Sequence, residues 1–293
     1  MNHKVTVVGA GRMASALASA LFNKGFAPTV WNRTASKTEP LARLGLRVAP
    51  TLLDAINASD IIIVNILNYH AAQQLLEHPE IESALRGKVL VQLTTGTPDE
   101  ARHMESWAQP RGILYFEGAI LSYPMNIGKP ETVVLYSGPE EIFNHVKPVL
   151  LAFGGNAVLV GHEIGQASAL DIAIMASFCV NTMFGFLYGY IVCEAEKISI
   201  TQYMQFVKSL MPAVEEVLND MSVKLQQKDY TGNQASLEAW SVAPRELVAW
   251  CSQHGVDHAM ITPQLSLFEN AFKAGKAQAD FSYFYEVLKK GVH

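Results

Sequence analysis

The sequence predicts an α/β protein with a doubly wound parallel sheet in its N-terminal half, one long helix after it, and an all-α C-terminal part. Three observations carry this. Up to Gly161, short β-branched runs alternate with segments of helical spacing, which is the pattern of βα units in a parallel sheet. From Gly165 to Glu196 the chain is more continuously apolar than anywhere else, with no charged residue between Ile172 and Cys193. From Ile200 onward, apolar residues recur every three to four positions between Gly, Pro and Asp breaks. The expected divisions are 1–162 for the sheet domain, 163–196 for the interdomain helix and 197–293 for the helical domain.

Composition narrows the partners. The chain has 293 residues, 49% hydrophobic and 17% charged, an ordinary globular balance with length for two domains. A net charge of −5 without a basic run argues against nucleic acid, because phosphate binding needs clustered Lys and Arg. Cys179, Cys193 and Cys251 are odd in number and lack metal-ligand spacing, so they read as reduced core residues, and no metal is expected. The first residues run directly into a strand without a targeting pattern, so a cytoplasmic location is expected.

Taken in order, Lys4 to Val8 reads as a strand, and Ser15 to Asn23 as a helix that ends at Gly25. Between them lies Gly9-Ala10-Gly11-Arg12-Met13-Ala14, the spacing of the dinucleotide fingerprint with alanine in the third glycine's place. Gly9 permits the tight turn, Gly11 lets backbone approach a pyrophosphate, and Ala14 lets helix pack closely on strand, with the helix N-terminus receiving the phosphates. The first domain is therefore read as Rossmann-like and dinucleotide-binding.

Thr29 to Trp31 is the second strand, and its end is where such a domain places the acid that holds an NAD ribose. No acid stands there. Asn32-Arg33-Thr34-Ala35-Ser36-Lys37 instead offers two cations and small polar side chains, which suits a 2′-phosphate and favours NADP; the plainer reading is a solvated basic turn. Strands follow at Asp60 to Ile66 and Lys88 to Leu93. Ligands bind at the carboxyl ends of such strands, so Leu67-Asn68-Tyr69 and Thr94-Thr95-Gly96-Thr97-Pro98 are expected beside the nicotinamide half. Thr97-Pro98-Asp99-Glu100 is also a good helix start, and both roles can hold at once. Thr132 to Tyr136 is the last expected strand.

These residues carry a resemblance. The glycine turn, Trp31-Asn32-Arg33-Thr34 with Lys37, Leu93-Thr94-Thr95-Gly96-Thr97-Pro98, Gly118-Ala119-Ile120 with Pro124 and Ile127-Gly128, and Leu135-Tyr136-Ser137-Gly138 resemble the motif series of NADPH-dependent imine reductases and reductive aminases. That family belongs among the β-hydroxyacid dehydrogenases. The resemblance covers nearly the whole first domain and continues into the long helix. It implies that Asp171, near the start of that helix, is the proton donor, that the helix and the C-terminal bundle form a homodimer, and that Trp240 and the neighbourhood of Cys179 line the substrate pocket. Gly165 to Met175 lacks the catalytic lysine of the wider group, which counts against 3-hydroxy acid oxidation. Ser122-Tyr123 stands where family members usually have small aliphatic residues, and Tyr123 is a second candidate proton donor or a packing residue.

The long segment reads as one helix. It is long enough to span a bilayer, but there is no second such segment and no basic flank, and Asn181 and three glycines interrupt it. Burial between domains or between chains explains it better than a membrane does. Asp171 is the anomaly: such a carboxylate caps the helix, faces a cavity or does chemistry. In the last third, Tyr203 to Met211, Ala213 to Gln227, Ser236 to His254 and Gln264 to Ala274 are expected as helices without strands. Trp240 reads equally as core. His254 and His258, four apart, could share a helix face as metal ligands do, but Gly255 makes a helix end the better reading.

Three functional classes remain in order of preference. They are an NADPH-dependent reductase of imines or of imines formed from a carbonyl and an amine, a β-hydroxyacid dehydrogenase-like oxidoreductase acting on an alcohol or carbonyl, and a catalytically silent NADP-binding protein.

Overall fold

A computed structural model describes residues 3–289, as two compact units that meet within the long helix, 1–188 and 189–293 by chain position. The first unit holds an eight-stranded sheet in the order β3-β2-β1-β4-β5-β6-β7-β8. The strands are β1 Val5–Val8, β2 Thr29–Trp31, β3 Arg47–Val48, β4 Ile61–Val64, β5 Val89–Gln92, β6 Leu114–Ile120, β7 Val133–Ser137 and β8 Asn156–Gly161. β1 through β6 pair in parallel. β7 runs antiparallel to β6 and carries β8 parallel to itself, so the sheet is doubly wound with a reversed edge.

The sheet is covered on both faces, which is why its strands read as unbroken β-branched runs rather than alternating ones. Val5, Val7, Ile61, Ile63, Val89 and Val91 pack on one side with the helices Arg12–Asn23 and Glu140–Leu150. Val8, Ile62, Val64 and Leu90 pack on the other with Tyr69, Ala72 and Leu76 of the helix Tyr69–Leu76 and with Ala101, Met104 and Trp107 of the helix Pro98–Ala108. The switch in strand order between β1 and β4 opens the crevice in which such sheets bind ligands.

The strands at β3, β6 and β8 are not expected from the sequence, for a common physical reason. β3 is two residues at an edge, and β6 and β8 lack clean periodicity because β6 carries Glu117 and Gly118 and β8 is only half-buried. The long apolar segment is one helix, Gln166–Ala195, whose turns widen to π geometry over Ile172–Cys179. By length and composition it could cross a membrane, and within this chain little of it is buried.

In the second unit Leu237 of the helix Leu237–Trp240 packs with Phe268 and Ala271 of the helix Thr262–Lys273 and with Phe284, and the helix Val242–His254 lies against both of those helices. The two helices expected on either side of Pro212 are one, Ile200–Gln227. The proline removes one N–H bond and crowds the preceding turn, a local cost of about 3 kcal/mol. The stripe Val207, Leu210, Val214, Val217 and Met221 nevertheless keeps helical spacing across it. The segment expected as one helix from Ser236 to His254 is instead interrupted at Ser241, whose hydroxyl bonds the carbonyl of Glu238 at 2.7 Å. One isolated bridge, Thr231 to Ala279, is the β pairing in this unit among the described residues.

Candidate functional site

Two adjoining cavities sit at the carboxyl ends of β1, β2, β4 and β5. The larger, about 440 Å³, is lined by Gly9, Gly11, Arg12 and Met13 of the glycine turn, by Asn32, Arg33, Thr34 and Lys37 after β2, and by Leu67 after β4. Gly9 has φ 124°, and a Cβ there would collide with the carbonyl oxygen of Asn65, so only glycine allows β1 and β4 to close up at this point. Gly11 differs in kind. A Cβ on it would meet nothing within 4 Å, so the space it leaves opens toward the cavity rather than toward the fold. Ala14 is fully buried against the turn.

The helix that starts at Arg12 has no side-chain cap, which leaves its first N–H groups free for an anion. Asn32 joins the turn to the β2 loop: its Oδ1 accepts from the Ala10 amide at 3.1 Å and its Nδ2 donates to the Thr34 carbonyl at 2.9 Å. Among the described residues Arg33 and Lys37 form no ion pair. A turn built for backbone approach, free amides and two unpaired cations fit a dinucleotide with an extra phosphate on its adenosine ribose.

The smaller cavity, about 210 Å³, shares Met13, Asn65 and Leu67 with the first and adds Thr94, Thr95, Gly96, Gly118, Ile120, Ser168 and Asp171. Asp171 is 8% exposed, and among the described residues nothing bonds its carboxyl group. Burial holds its pKa above the usual carboxylate range. It is not a helix cap. The N-cap is Gly165, and Asp171 is the sixth helical residue, the last before the π turns. A carboxyl group without partners at the wall of a cavity is poised to exchange a proton with whatever fills that cavity.

Other expected site residues lie elsewhere. Asn68 lines neither cavity; its Oδ1 caps the helix Tyr69–Leu76 by accepting from the Ala71 amide at 2.8 Å. Tyr123 is 64% exposed and outside both cavities, at the start of a short turn at Pro124–Asn126. Cys179 is half-buried at the end of the π turns and lines neither cavity. Trp240 belongs to the second unit, where it stacks edge-on against Phe281 at 5.8 Å and lines a separate cavity with Asp280.

Two residues that shape the site, Asn65 and Glu117, went unread in the sequence, whereas Thr94 was expected there. Asn65, which lines both cavities, donates from Nδ2 to the Leu93 carbonyl at 2.6 Å, and Thr94 Oγ1 accepts from the Ile66 amide at 3.2 Å; together they tie β4 to β5 at the cavity floor. Glu117 is fully buried under the start of the long helix. Its signal was available, because it is the one charged residue between Arg111 and Lys129.

Residues 4–161 match the family described as the NAD binding domain of 6-phosphogluconate dehydrogenase, and residues 163–290 match the C-terminal domain described as NADPH-dependent reductive aminase-like. An NADPH-dependent reductive aminase of Aspergillus oryzae is 29% identical over 99% of both chains. Among solved structures, an imine reductase from Myxococcus stipitatus in complex with NADP+ is 41% identical, with TM-score 0.93 over 98% of this chain and 100% of that one. A reductive aminase from Aspergillus terreus in complex with NADPH and ethyl levulinate is 32% identical, with TM-score 0.91 over the same shares.

Proposed function

Because the chain belongs to the family of NADPH-dependent imine reductases and reductive aminases, we propose that Asp171 carries the proton chemistry of C=N reduction in the cavity bounded by Thr95, Gly118 and Ser168. The chain is an NADP-dependent oxidoreductase that reduces C=N bonds. The observation that carries the role of Asp171 is its isolation: a nearly buried carboxyl, raised in pKa by burial, at the wall of the cavity that adjoins the dinucleotide groove.

NADPH would supply the hydride. Gly11 and the free amides at the start of the helix Arg12–Asn23 would receive its pyrophosphate, and Arg33 and Lys37 would pair with its 2′-phosphate. Reduction at carbon leaves the substrate nitrogen short of a proton, unless the substrate enters as a cation. In the first case Asp171 donates that proton; in the second its carboxylate holds the cation. Among the described residues the wall of the smaller cavity holds no Lys, Arg or His to favour a substrate carboxylate, whereas a cationic nitrogen finds Asp171. This supports imines over 3-hydroxy acids as substrates.

Whether separate ketone and amine are condensed and reduced belongs to the same proposal, as do the homodimer and a cytoplasmic location. The homodimer is supported by the exposed apolar surface of the helix Gln166–Ala195. The functional test is a panel of cyclic imines and of ketone–amine pairs with NADPH, run beside hydroxy-acid oxidation with NADP+. Turnover on imines is expected. Hydroxy-acid oxidation without imine reduction would move the chain to the β-hydroxyacid dehydrogenase reading, and tight NADPH binding without turnover would make it a cofactor-binding protein.

A further inference from the structure

Glu117 is the most deeply buried carboxylate next to the site, and the proton chemistry above does not use it. It sits on β6, immediately before the cavity residues Gly118 and Ala119, and is fully buried without an ion pair among the described residues. A carboxylate in that setting is costly unless hydrogen bonds satisfy it. They do. Oε1 accepts from the Gly165 amide at 2.7 Å and from Ser137 Oγ at 2.6 Å, with the Ser168 amide at 3.5 Å, and Oε2 accepts from Ser168 Oγ at 2.7 Å. Ser137 Oγ in turn accepts from the Ala167 amide at 3.0 Å.

These bonds have one target, the first turn of the helix that carries Asp171. Gly165 is in the left-handed region with φ 101°, which turns the chain sharply into the helix and aims its amide at the sheet. Uncapped N–H groups and the positive end of the helix dipole then meet a fixed negative charge, the arrangement that stabilises a helix start best. Ser168 stands one turn before Asp171, and residues three apart share a helix face. Both line the smaller cavity. Beyond Asp171 the helix widens into π turns that hold no comparable anchor to the sheet among the described residues. The height and rotation of Asp171 are therefore set from its N-terminal side.

We propose that Glu117 is a positioning residue for the reaction, pinning the turn Gly165–Ser168 to β6 and β7 so that the Asp171 carboxyl stays at the wall of the nicotinamide-side cavity. The inference rests on the reading of Asp171 as the group that serves the substrate nitrogen. Reactions of this kind lose about 100-fold in rate when a reacting group is misplaced by an ångström. Glu117→Gln keeps the size of the side chain but turns one acceptor oxygen into a donor facing Ser168 or Gly165.

The test is a double-mutant cycle on the full-length protein, with kcat for a cyclic imine and the dissociation constant for NADPH measured for Glu117→Gln, Asp171→Asn and the pair. Glu117→Gln is expected to lower kcat by about 10- to 100-fold and to leave NADPH binding within about twofold, since Glu117 does not line the larger cavity. In the Asp171→Asn background the same change is expected to cost less than about threefold, because there is no carboxyl left to position. Equal losses in both backgrounds, or full activity of Glu117→Gln, would overturn the proposal. Should Glu117→Gln not fold, Ser137→Ala removes the donor to Oε1 and the acceptor for Ala167 without touching the cavity, and the same non-additivity is expected of it. Amide hydrogen exchange separates this idea from the reading beneath it. Loss of protection confined to residues 165–171 in Glu117→Gln shows the anchor whether or not Asp171→Asn retains turnover, and unchanged exchange there shows that the anchor does not exist.

Discussion

The Oδ1 of Asn32 accepts a hydrogen bond from the amide of Ala10 at 3.1 Å, so the glycine turn after β1 and the basic loop after β2 are held in one frame. A second bond, from Nδ2 to the Thr34 carbonyl, shapes the loop that carries Arg33 and Lys37. Removing the side chain with Asn32→Ala frees both. A net hydrogen bond contributes about 1 kcal/mol, so titration of the variant should show NADPH and NADH both weakened, by about 30-fold if both bonds count in full. An effect on NADPH alone would mean that Asn32 acts through the basic loop and not through the turn.

Arg33→Ala should discriminate where Asn32→Ala does not. Arg33 is exposed and unpaired among the described residues, so its loss costs the fold little. A charge-assisted contact to the 2′-phosphate is worth about 1.5–3 kcal/mol. The Michaelis constant for NADPH is expected to rise at least about tenfold, with that for NADH nearly unchanged. Equal losses with the two cofactors would reject the pairing with the 2′-phosphate.

The fold and the cofactor groove were legible because both are written in local pattern. Gly9, Gly11 and Ala14 sit at fixed spacing between a strand and a helix, and the absence of an acid after Trp31 is a one-residue observation. The smaller cavity was only partly legible, because it is assembled across β4, β5, β6 and the long helix, whose pairing no local pattern states. Asp171 stood out as a lone charge in an apolar run, and Glu117 carried the same signal on β6. What made the second easy to pass over is that its partners, Ser137, Gly165 and Ser168, are distant in sequence. Asn68 and Tyr123 were expected at the site and lie outside both cavities. Each follows or precedes a motif that does line the cavities, yet strand ends fan out, so adjacency in sequence does not place a side chain in the crevice.

The helix Gln166–Ala195 should bring two chains together. Phe178, Met183 and Leu187 are about half-exposed on it, and burial of such surface yields about 25 cal/mol per Å². Sedimentation at micromolar concentration is expected to show a dimer without detectable monomer, and Leu187→Glu should shift it toward monomer. A stable, active wild-type monomer would sink the interface, and partition into vesicles in place of dimerisation would point to a membrane partner instead.

Lys224 offers a test of the helical unit that leaves the site alone. The residue is 7% exposed, and its ammonium lies 2.7 Å from Asp220 and 2.7 Å from Asp280. Burial lowers its pKa, but the hydrogen bonds it donates to the two aspartates and their charges outweigh that and raise it. Asp280 also accepts from the amide and hydroxyl of Ser282. Lys224→Ala leaves Asp280 buried without its cation, a loss of about 3 kcal/mol, which thermal or denaturant unfolding should register. A change below about 0.5 kcal/mol, the size expected of an ordinary surface substitution, would show that water replaces the ammonium.

Asp171 ties stability to activity through one proton. Burial raises its folded pKa above the unfolded value of about 4. A carboxyl shifted that way stabilises the fold fully below the unfolded pKa and loses that contribution as pH climbs through the folded one, because the unfolded chain ionises more readily. Asp171→Asn cannot ionise. Its melting temperature is therefore expected to match the wild type near about pH 4 and to exceed it at neutral pH, measured without cofactor. The same substitution should lower the turnover number for imines by about 100-fold or more if the carboxyl is the general acid. The wild-type rate should also fall as pH rises through the Asp171 pKa, while the variant stays low and flat. Asp171→Tyr with retained activity would favour proton donation over holding a substrate cation, since a phenol donates a proton yet bears no charge at neutral pH. Full turnover of Asp171→Asn with an unchanged pH profile would reject the catalytic role, even if the stability difference appeared as described.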